Sequence, residues 1–158
     1  MSECACSKCI SCCESNPGWM TPVEAERAIA AGYGDRLMLD WLEPSDELKN
    51  KKRIWVLAPA SISYEGRNAP EMPELSIGLL GGWWEKGKCT FLKKKRCEIH
   101  SSGFKPLQCR ESLACTTSRP PGYLSNYSMA KLWKTREAKS IVKRWKMLND
   151  AVTRGDAE

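Results

Sequence analysis

Residues 4–13 read Cys4-Ala5-Cys6-Ser7-Lys8-Cys9-Ile10-Ser11-Cys12-Cys13 and hold five of the nine cysteines in this 158-residue chain. The other four follow much later, at Cys89, Cys97, Cys109 and Cys115, and residues 14–88 contain none. Chain ends are usually poorly ordered unless something ties them down. A thiol-rich end therefore predicts a bound metal whose ligands come from both groups of cysteines, in one shared site or in two adjacent sites.

The N-terminal sequence lacks the basic, apolar and small-residue order of a secretion signal, so we expect a cytoplasmic location. Thiols stay reduced there, and nine cysteines cannot all pair, so metal ligands are favoured over disulfides. The alternative of cysteines used as small apolar side chains does not explain their crowding at one end. The longest apolar run, residues 75–84, is far shorter than the roughly 20 residues that cross a bilayer, so we expect no membrane partner.

The spacing of the thiols fits metal chemistry. Thiolates bind zinc tetrahedrally, often four to a structural site, and iron–sulfur clusters use the same ligand. A C-x-x-C step lets two sulfurs reach one metal, and it occurs from Cys6 to Cys9 and from Cys9 to Cys12. The neighbours Cys12 and Cys13 are expected to serve different metals, or one of them only to pack. Four early and four late cysteines would fill two four-thiolate sites or one polynuclear cluster, which leaves Cys4 as the spare.

The motifs around the cysteines are Cys6-x-x-Cys9-x-x-Cys12-Cys13, Cys89-Thr90-Phe91-Leu92, Cys97-Glu98-Ile99-His100 and Lys105-Pro106-Leu107-Gln108-Cys109-Arg110. Together they resemble the CxxCxxCC family, a zinc- or iron-chelating domain with eight cysteines. Family members often have Pro, Tyr and Arg at the positions of Thr90, His100 and Lys105. The resemblance covers the N-terminus to about residue 30 and residues 85–115. It implies that the metal ligands are Cys6, Cys9, Cys12, Cys13, Cys89, Cys97, Cys109 and Cys115.

Local signals predict the main elements. Thr21-Pro22-Val23-Glu24 is a capping box that opens a helix running to about Ala31. Apolar residues at helical spacing indicate a second short helix over 35–42, and residues 53–58 are typical of a strand. Two short apolar pieces, one starting at Cys89 and the other at Cys97, predict a hairpin around a basic turn.

The expected fold is a small, metal-stapled α+β domain, with helices, a short β-hairpin and a long C-terminal amphipathic helix. The whole chain, 1–158, is expected to form a single domain. In it, residues 1–30 and 85–115 form the cysteine metal-binding core. Apolar residues at three- and four-residue steps place the C-terminal helix over 128–153.

Charge offers a second kind of binding site. The net charge of +6 permits nucleic-acid or acidic-protein partners without requiring them. The outer face of the C-terminal helix is basic, with Lys131, Lys134, Arg136, Lys139, Lys143, Arg144 and Lys146. Such a face is often simply solvated, but lysine-rich helices also bind nucleic acids. The run from Lys93 to Arg96 is most simply a solvated turn, and the only histidine, His100, is expected to be a packed or hydrogen-bonded ring.

Three functional hypotheses follow. The first is a non-catalytic metal-binding protein with cysteine-thiolate zinc in a structural or interaction role. The second is an iron–sulfur protein with a redox or enzyme-accessory role, in which the same thiolates hold iron. The third is a nucleic-acid-binding module that uses the basic C-terminal helix. The sequence favours a protein that is not an enzyme, since it has one histidine and no glycine-rich phosphate loop of the usual spacing.

Overall fold

The computed structural model describes residues 6–15, 18–42, 54–62, 88–111 and 126–153. Within these ranges the chain is mixed α+β, as predicted, and its strands pair two by two in antiparallel fashion. The helices are α1 (Ser7–Ser15), α2 (Pro22–Ala30), α3 (Leu107–Glu111), α4 (Asn126–Trp133) and α5 (Arg136–Thr153), with a 3-10 turn at Gly34–Arg36. The strands are β1 (Leu37–Leu42), β2 (Ile54–Pro59), β3 (Ser61–Ile62), β4 (Lys88–Cys89), β5 (Leu92–Lys93) and β6 (Arg96–Cys97).

Helix α2 begins with the predicted capping box. The Thr21 hydroxyl accepts from the backbone N–H of Glu24 at 3.3 Å, and the Glu24 carboxylate accepts from the N–H of Thr21 at 2.8 Å. Such a cap satisfies backbone donors that the first helical turn would otherwise leave unpaired. The helix ends at Ala30, and the left-handed conformation of Gly32 (φ 85°) then turns the chain. The prediction for this helix is confirmed.

The predicted strand over 53–58 is confirmed as β2, but the helix predicted over 35–42 is wrong. That segment forms the 3-10 turn and then β1, which pairs with β2 from Leu37 opposite Pro59 to Leu42 opposite Ile54. Leu37, Met38 and Leu42 are buried, as the helical spacing suggested. Successive strand residues point to opposite sides of a sheet, so the burial of the neighbours Leu37 and Met38 means that both faces of β1 are covered. A strand covered on both faces can show the apolar spacing that is typical of a helix.

Tryptophans anchor the packing through their indole N–H groups. Trp133 donates to the carbonyl of Met20 at 2.9 Å, and Trp145 donates to the carbonyl of Gly34 at 2.7 Å. Trp19 donates to the buried carboxylate of Asp40 at 2.6 Å. Each large ring thus contributes apolar burial without leaving its polar atom unpaired. Through these contacts α4 and α5 are held against the segment before α2 and the turn before β1.

The helix predicted over 128–153 is divided into α4 and α5. Thr135 makes the break, because its hydroxyl accepts from the N–H of Ala138 at 3.2 Å and its carbonyl accepts from the N–H of Lys139 at 3.1 Å. A side chain that caps a new helix ends the previous one. Apolar periodicity continues across the break, so the pattern alone did not reveal it. No helix in the described ranges is long and apolar enough to span a membrane.

The predicted hairpin is present as β5 and β6, with Leu92 opposite Cys97. Its turn places Lys94 and Lys95 in the left-handed region, with φ values of 48° and 63°. Two such residues are typical of the tight turns whose twist matches paired strands. The prediction that one arm of this hairpin starts at Cys89 is wrong, because Cys89 lies on β4 and pairs with Ser61 of β3.

Candidate metal centre

Helix α1 gathers the described N-terminal cysteines on one side. The carbonyl of Cys6 accepts the N–H of Ile10 at 3.0 Å, so Cys6 begins the helix. Steps of three and four residues place Cys6, Cys9 and Cys13 along one face, where Ile10 is buried and the three cysteines are partly buried. Helix α1 contacts β4, the strand that carries Cys89. The N-terminal thiols therefore face the later cysteine window.

Cys89 is buried at the end of β4. Loss of water around the thiol raises its pKa to about 12, and the charges of Cys13 and Cys97 act in the same direction. The backbone N–H of Phe91 donates to the Cys89 sulfur, and this bond and the Arg36 guanidinium oppose the rise in pKa. A thiol so placed stays protonated at neutral pH unless a metal cation replaces the proton.

Cys109 lies on α3, and the residue as a whole is partly buried. Burial of its thiol raises the pKa far above the usual range, with further contributions from the charges of Cys13 and Cys89. The N–H of Gly18 donates to its sulfur and opposes that rise, as does the Lys105 ammonium. Cys13, Cys89, Cys97 and Cys109 are thus electrostatic neighbours, although they come from α1, β4, β6 and α3.

The described thiols approach one another without forming a closed site. Among the side chains that the structure describes, no three His, Cys, Asp or Glu residues are close enough together to hold a metal ion as they stand. Two of the eight predicted ligands lie outside this set: Cys115 is not among the described residues, and neither is the side chain of Cys12. Cys4, the predicted spare, also lies outside them. The donor chemistry fits zinc or iron, both of which bind thiolates.

A buried carboxylate fixes α3 and hence Cys109. Glu24 accepts from the N–H of Leu107 at 3.2 Å and from the guanidinium of Arg110 at 2.6 Å, besides capping α2 through Thr21. The side chain of Glu24 is 5% exposed and that of Arg110 is 39% exposed. From the sequence, Glu24 is predicted only as part of the helix cap. The one sequence signal for this contact is that Arg110 directly follows Cys109, a predicted metal ligand.

Arg36 holds the turn after Cys89, and no motif in the sequence marks this arginine. Its guanidinium donates to the carbonyl of Thr90 and to the carboxylate of Glu98, both at 2.7 Å, and lies 4.2 Å from the ring centroid of Phe91. Hydrogen bonds from Arg36 and then Lys93 lower the pKa of Glu98 to about 2. One cation therefore links the turn after Cys89 to Glu98, the residue that follows the second strand of the hairpin.

His100 is a hydrogen-bonded ring, as predicted. Its Nδ1 lies 2.9 Å from the Lys105 ammonium, which has protons only to donate, so Nδ1 accepts. The ring is partly buried.

One protein-family model matches the chain. It is named CxxCxxCC, is described as "Putative zinc- or iron-chelating domain", and matches residues 5–135. The match confirms the resemblance and extends it beyond residues 1–30 and 85–115, since it also includes β1, β2 and α4. No curated protein and no solved structure matches the chain.

Proposed function

The chain belongs to the CxxCxxCC family, and we propose that it binds zinc through cysteine thiolates in a structural role. The proposed ligand set is Cys6, Cys9, Cys12, Cys13, Cys89, Cys97, Cys109 and Cys115. The observation that carries this proposal is the clustering of thiols from α1, β4, β6 and α3, which are distant in sequence. Burial of several thiols beside one another is unfavourable for their charged forms, and a bound divalent cation reverses that.

The secondary structure around the thiols supports a structural role for the metal. Strands β4, β5 and β6 have two residues each, and α3 has five. Elements this short have little stability of their own, because helices below about 12–15 residues are marginal in isolation. A metal that cross-links them contributes its binding free energy to folding. A site saturated with four thiolates has no open position for a substrate, which agrees with a protein that is not an enzyme.

Zinc binding should release protons, because Cys89 and Cys109 are protonated in the metal-free protein and must become thiolates. We expect about four protons per zinc at pH 7 for a four-thiolate site. Calorimetric titration of reduced, metal-free protein in buffers of different ionisation enthalpy measures this number. The Cys89→Ser variant should release fewer protons and bind more weakly. Tight binding without proton release would contradict thiolate ligation.

An iron–sulfur cluster with a redox or enzyme-accessory role is the alternative occupant of the same thiols. The observation that favours it is the backbone N–H donation to the sulfurs of Cys89 and Cys109. Hydrogen bonds of this kind help to set the reduction potentials of iron–sulfur clusters. Zinc and such a cluster differ in colour, iron content and response to reductants.

A second candidate function, nucleic-acid binding, is favoured by a surface formed by α5 and β2. Exposed cations on the outer side of α5 include Arg136, Lys139, Lys143 and Lys146. Beside them Trp55 of β2 is 36% exposed, with the Lys146 ammonium 5.6 Å from its ring centroid. Single-stranded nucleic acids bind surfaces that combine backbone-tracking cations with exposed aromatic rings. We propose a single-stranded RNA as the ligand of this surface.

Binding of a labelled single-stranded RNA should weaken steeply with salt if this surface contacts phosphates. Replacement of Lys143 by Glu should reduce the slope of log affinity against log salt by about 1. Lys95→Glu makes the same change of charge at an exposed residue of the hairpin turn and should leave the slope unaltered. Fluorescence anisotropy at several salt concentrations measures the slope for each variant. Absence of binding at low salt, or equal effects of the two variants, would rule this function out.

A further inference from the structure

Gly18 approaches Cys109 more closely than any other residue type could. A Cβ atom built on Gly18 would lie 2.8 Å from the Cys109 sulfur, 3.0 Å from the Cβ of Gln108 and 3.4 Å from the Cys109 nitrogen. The Gln108 Cβ and the Cys109 nitrogen belong to the fixed inner part of α3, and the Cys109 sulfur ends a side chain that can turn about only one bond. Among the described glycines, positive φ values occur at Gly32 and Gly103 and not at Gly18. Space, and not backbone conformation, therefore selects glycine at position 18.

Because of this close approach, two successive backbone N–H groups donate to side chains of α3. The N–H of Gly18 donates to the Cys109 sulfur, and the N–H of Trp19 donates to the Gln108 side-chain carbonyl at 2.8 Å. The first bond fixes the Cys109 sulfur against the backbone of residue 18. The second bond fixes the backbone of residues 18 and 19 against the same helix. Together the two bonds hold residues 18 and 19 beside the helix that carries Cys109.

We infer that Gly18 is a positioning residue of the metal centre, whose missing side chain allows its N–H to bind the Cys109 sulfur and orient it toward the metal. This inference rests on the proposed ligation of a metal by Cys109. A sulfur fixed by both a metal and a backbone donor cannot move aside for a methyl group. Substitution at Gly18 should therefore act on metal binding, and not only on packing.

The first test compares two glycine-to-alanine variants. In Gly18→Ala the new methyl group meets the sulfur, whereas in Gly34→Ala it meets nothing within 4 Å and the backbone has an ordinary φ. Competition with a chromophoric chelator measures the zinc affinity of each. We expect Gly18→Ala to bind zinc 10- to 100-fold more weakly, as is usual when an outer contact of a metal ligand is lost, and Gly34→Ala to match the wild type. Equal affinities for Gly18→Ala and wild type would overturn the inference.

The second test needs no variant, so it remains decisive if Gly18→Ala fails to fold. In wild-type protein loaded with ¹¹³Cd, a hydrogen bond to a metal-bound sulfur transmits a scalar coupling from the metal to the amide proton. We expect such a coupling at the amide of Gly18, and the amide of Phe91, which donates to Cys89, provides an internal comparison. A coupling at Phe91 without one at Gly18 would overturn the inference. Failure of the wild type to bind cadmium or zinc would instead refute the proposed function itself.

Discussion

Removal of the metal by a chelator, under reducing conditions, is expected to lower the midpoint of thermal unfolding by about 8–16 °C. A ligand that binds only the folded state at 1,000 times its dissociation constant stabilises that state by about 4 kcal/mol. For a chain of 150–250 residues, 1 kcal/mol corresponds to a change of about 2–4 °C in the midpoint. Loss of circular dichroism on heating, with and without chelator, measures the shift. The effect is expected to be large because short elements carry the thiols.

Two serine variants make this experiment specific. Cys109→Ser removes a proposed ligand on α3 and should lower the midpoint of the zinc-loaded protein while leaving little further response to the chelator. Cys4→Ser changes the one cysteine outside the proposed ligand set and should behave like the wild type. Identical midpoints for wild-type protein with and without chelator would contradict a structural metal.

Replacement of Glu24 by Ala is expected to destabilise the zinc-loaded protein by about 3 kcal/mol. The carboxylate is 5% exposed and pairs with the Arg110 guanidinium, so its loss leaves a charged donor and the N–H of Leu107 without their acceptor. Breaking a buried ion pair by removing one partner typically costs about 3–5 kcal/mol. The lower end of this range applies because Arg110 still reaches solvent. Chemical denaturation measures the free energy of unfolding.

Glu26 provides the matched control on the same helix. It pairs with Arg144 at 2.9 Å, but both side chains are about half exposed, at 54% and 50%. Exposed pairs contribute about 0–1 kcal/mol, so Glu26→Ala should change stability little. Glu24→Gln keeps the shape and one acceptor and should fall between the wild type and Glu24→Ala. Equal losses for Glu24→Ala and Glu26→Ala would show that the buried pair does not hold α3 in place.

Much of the scaffold could be predicted from local signals. The capping box at Thr21 and Glu24 and the β-branched and aromatic composition of β2 are both local, and both predictions are confirmed. The error at residues 35–42 arose because Leu37, Met38 and Leu42 are buried on two faces of β1, and this burial imitates helical spacing. Nothing local distinguishes the two cases, since the deciding contact is the pairing with β2.

The contacts around the thiols were harder to predict from the sequence. Motif spacing led to the family, but the roles of Gly18, Glu24 and Arg36 depend on contacts across long stretches of sequence. Gly18 meets Cys109, and Glu24 meets Arg110, only after α3 has packed beside the start of α2. Such contacts can be identified only from the three-dimensional structure, because residue type and spacing do not indicate which distant residue a side chain or N–H group will contact.

Elemental analysis of anaerobically purified protein tests most directly the claim that both groups of cysteines hold zinc. The wild type should be colourless and contain at least one zinc per chain, with less zinc in Cys9→Ser, from α1, and in Cys109→Ser, from α3. A folded wild-type protein without metal, or a brown protein containing iron and sulfide in place of zinc, would contradict it.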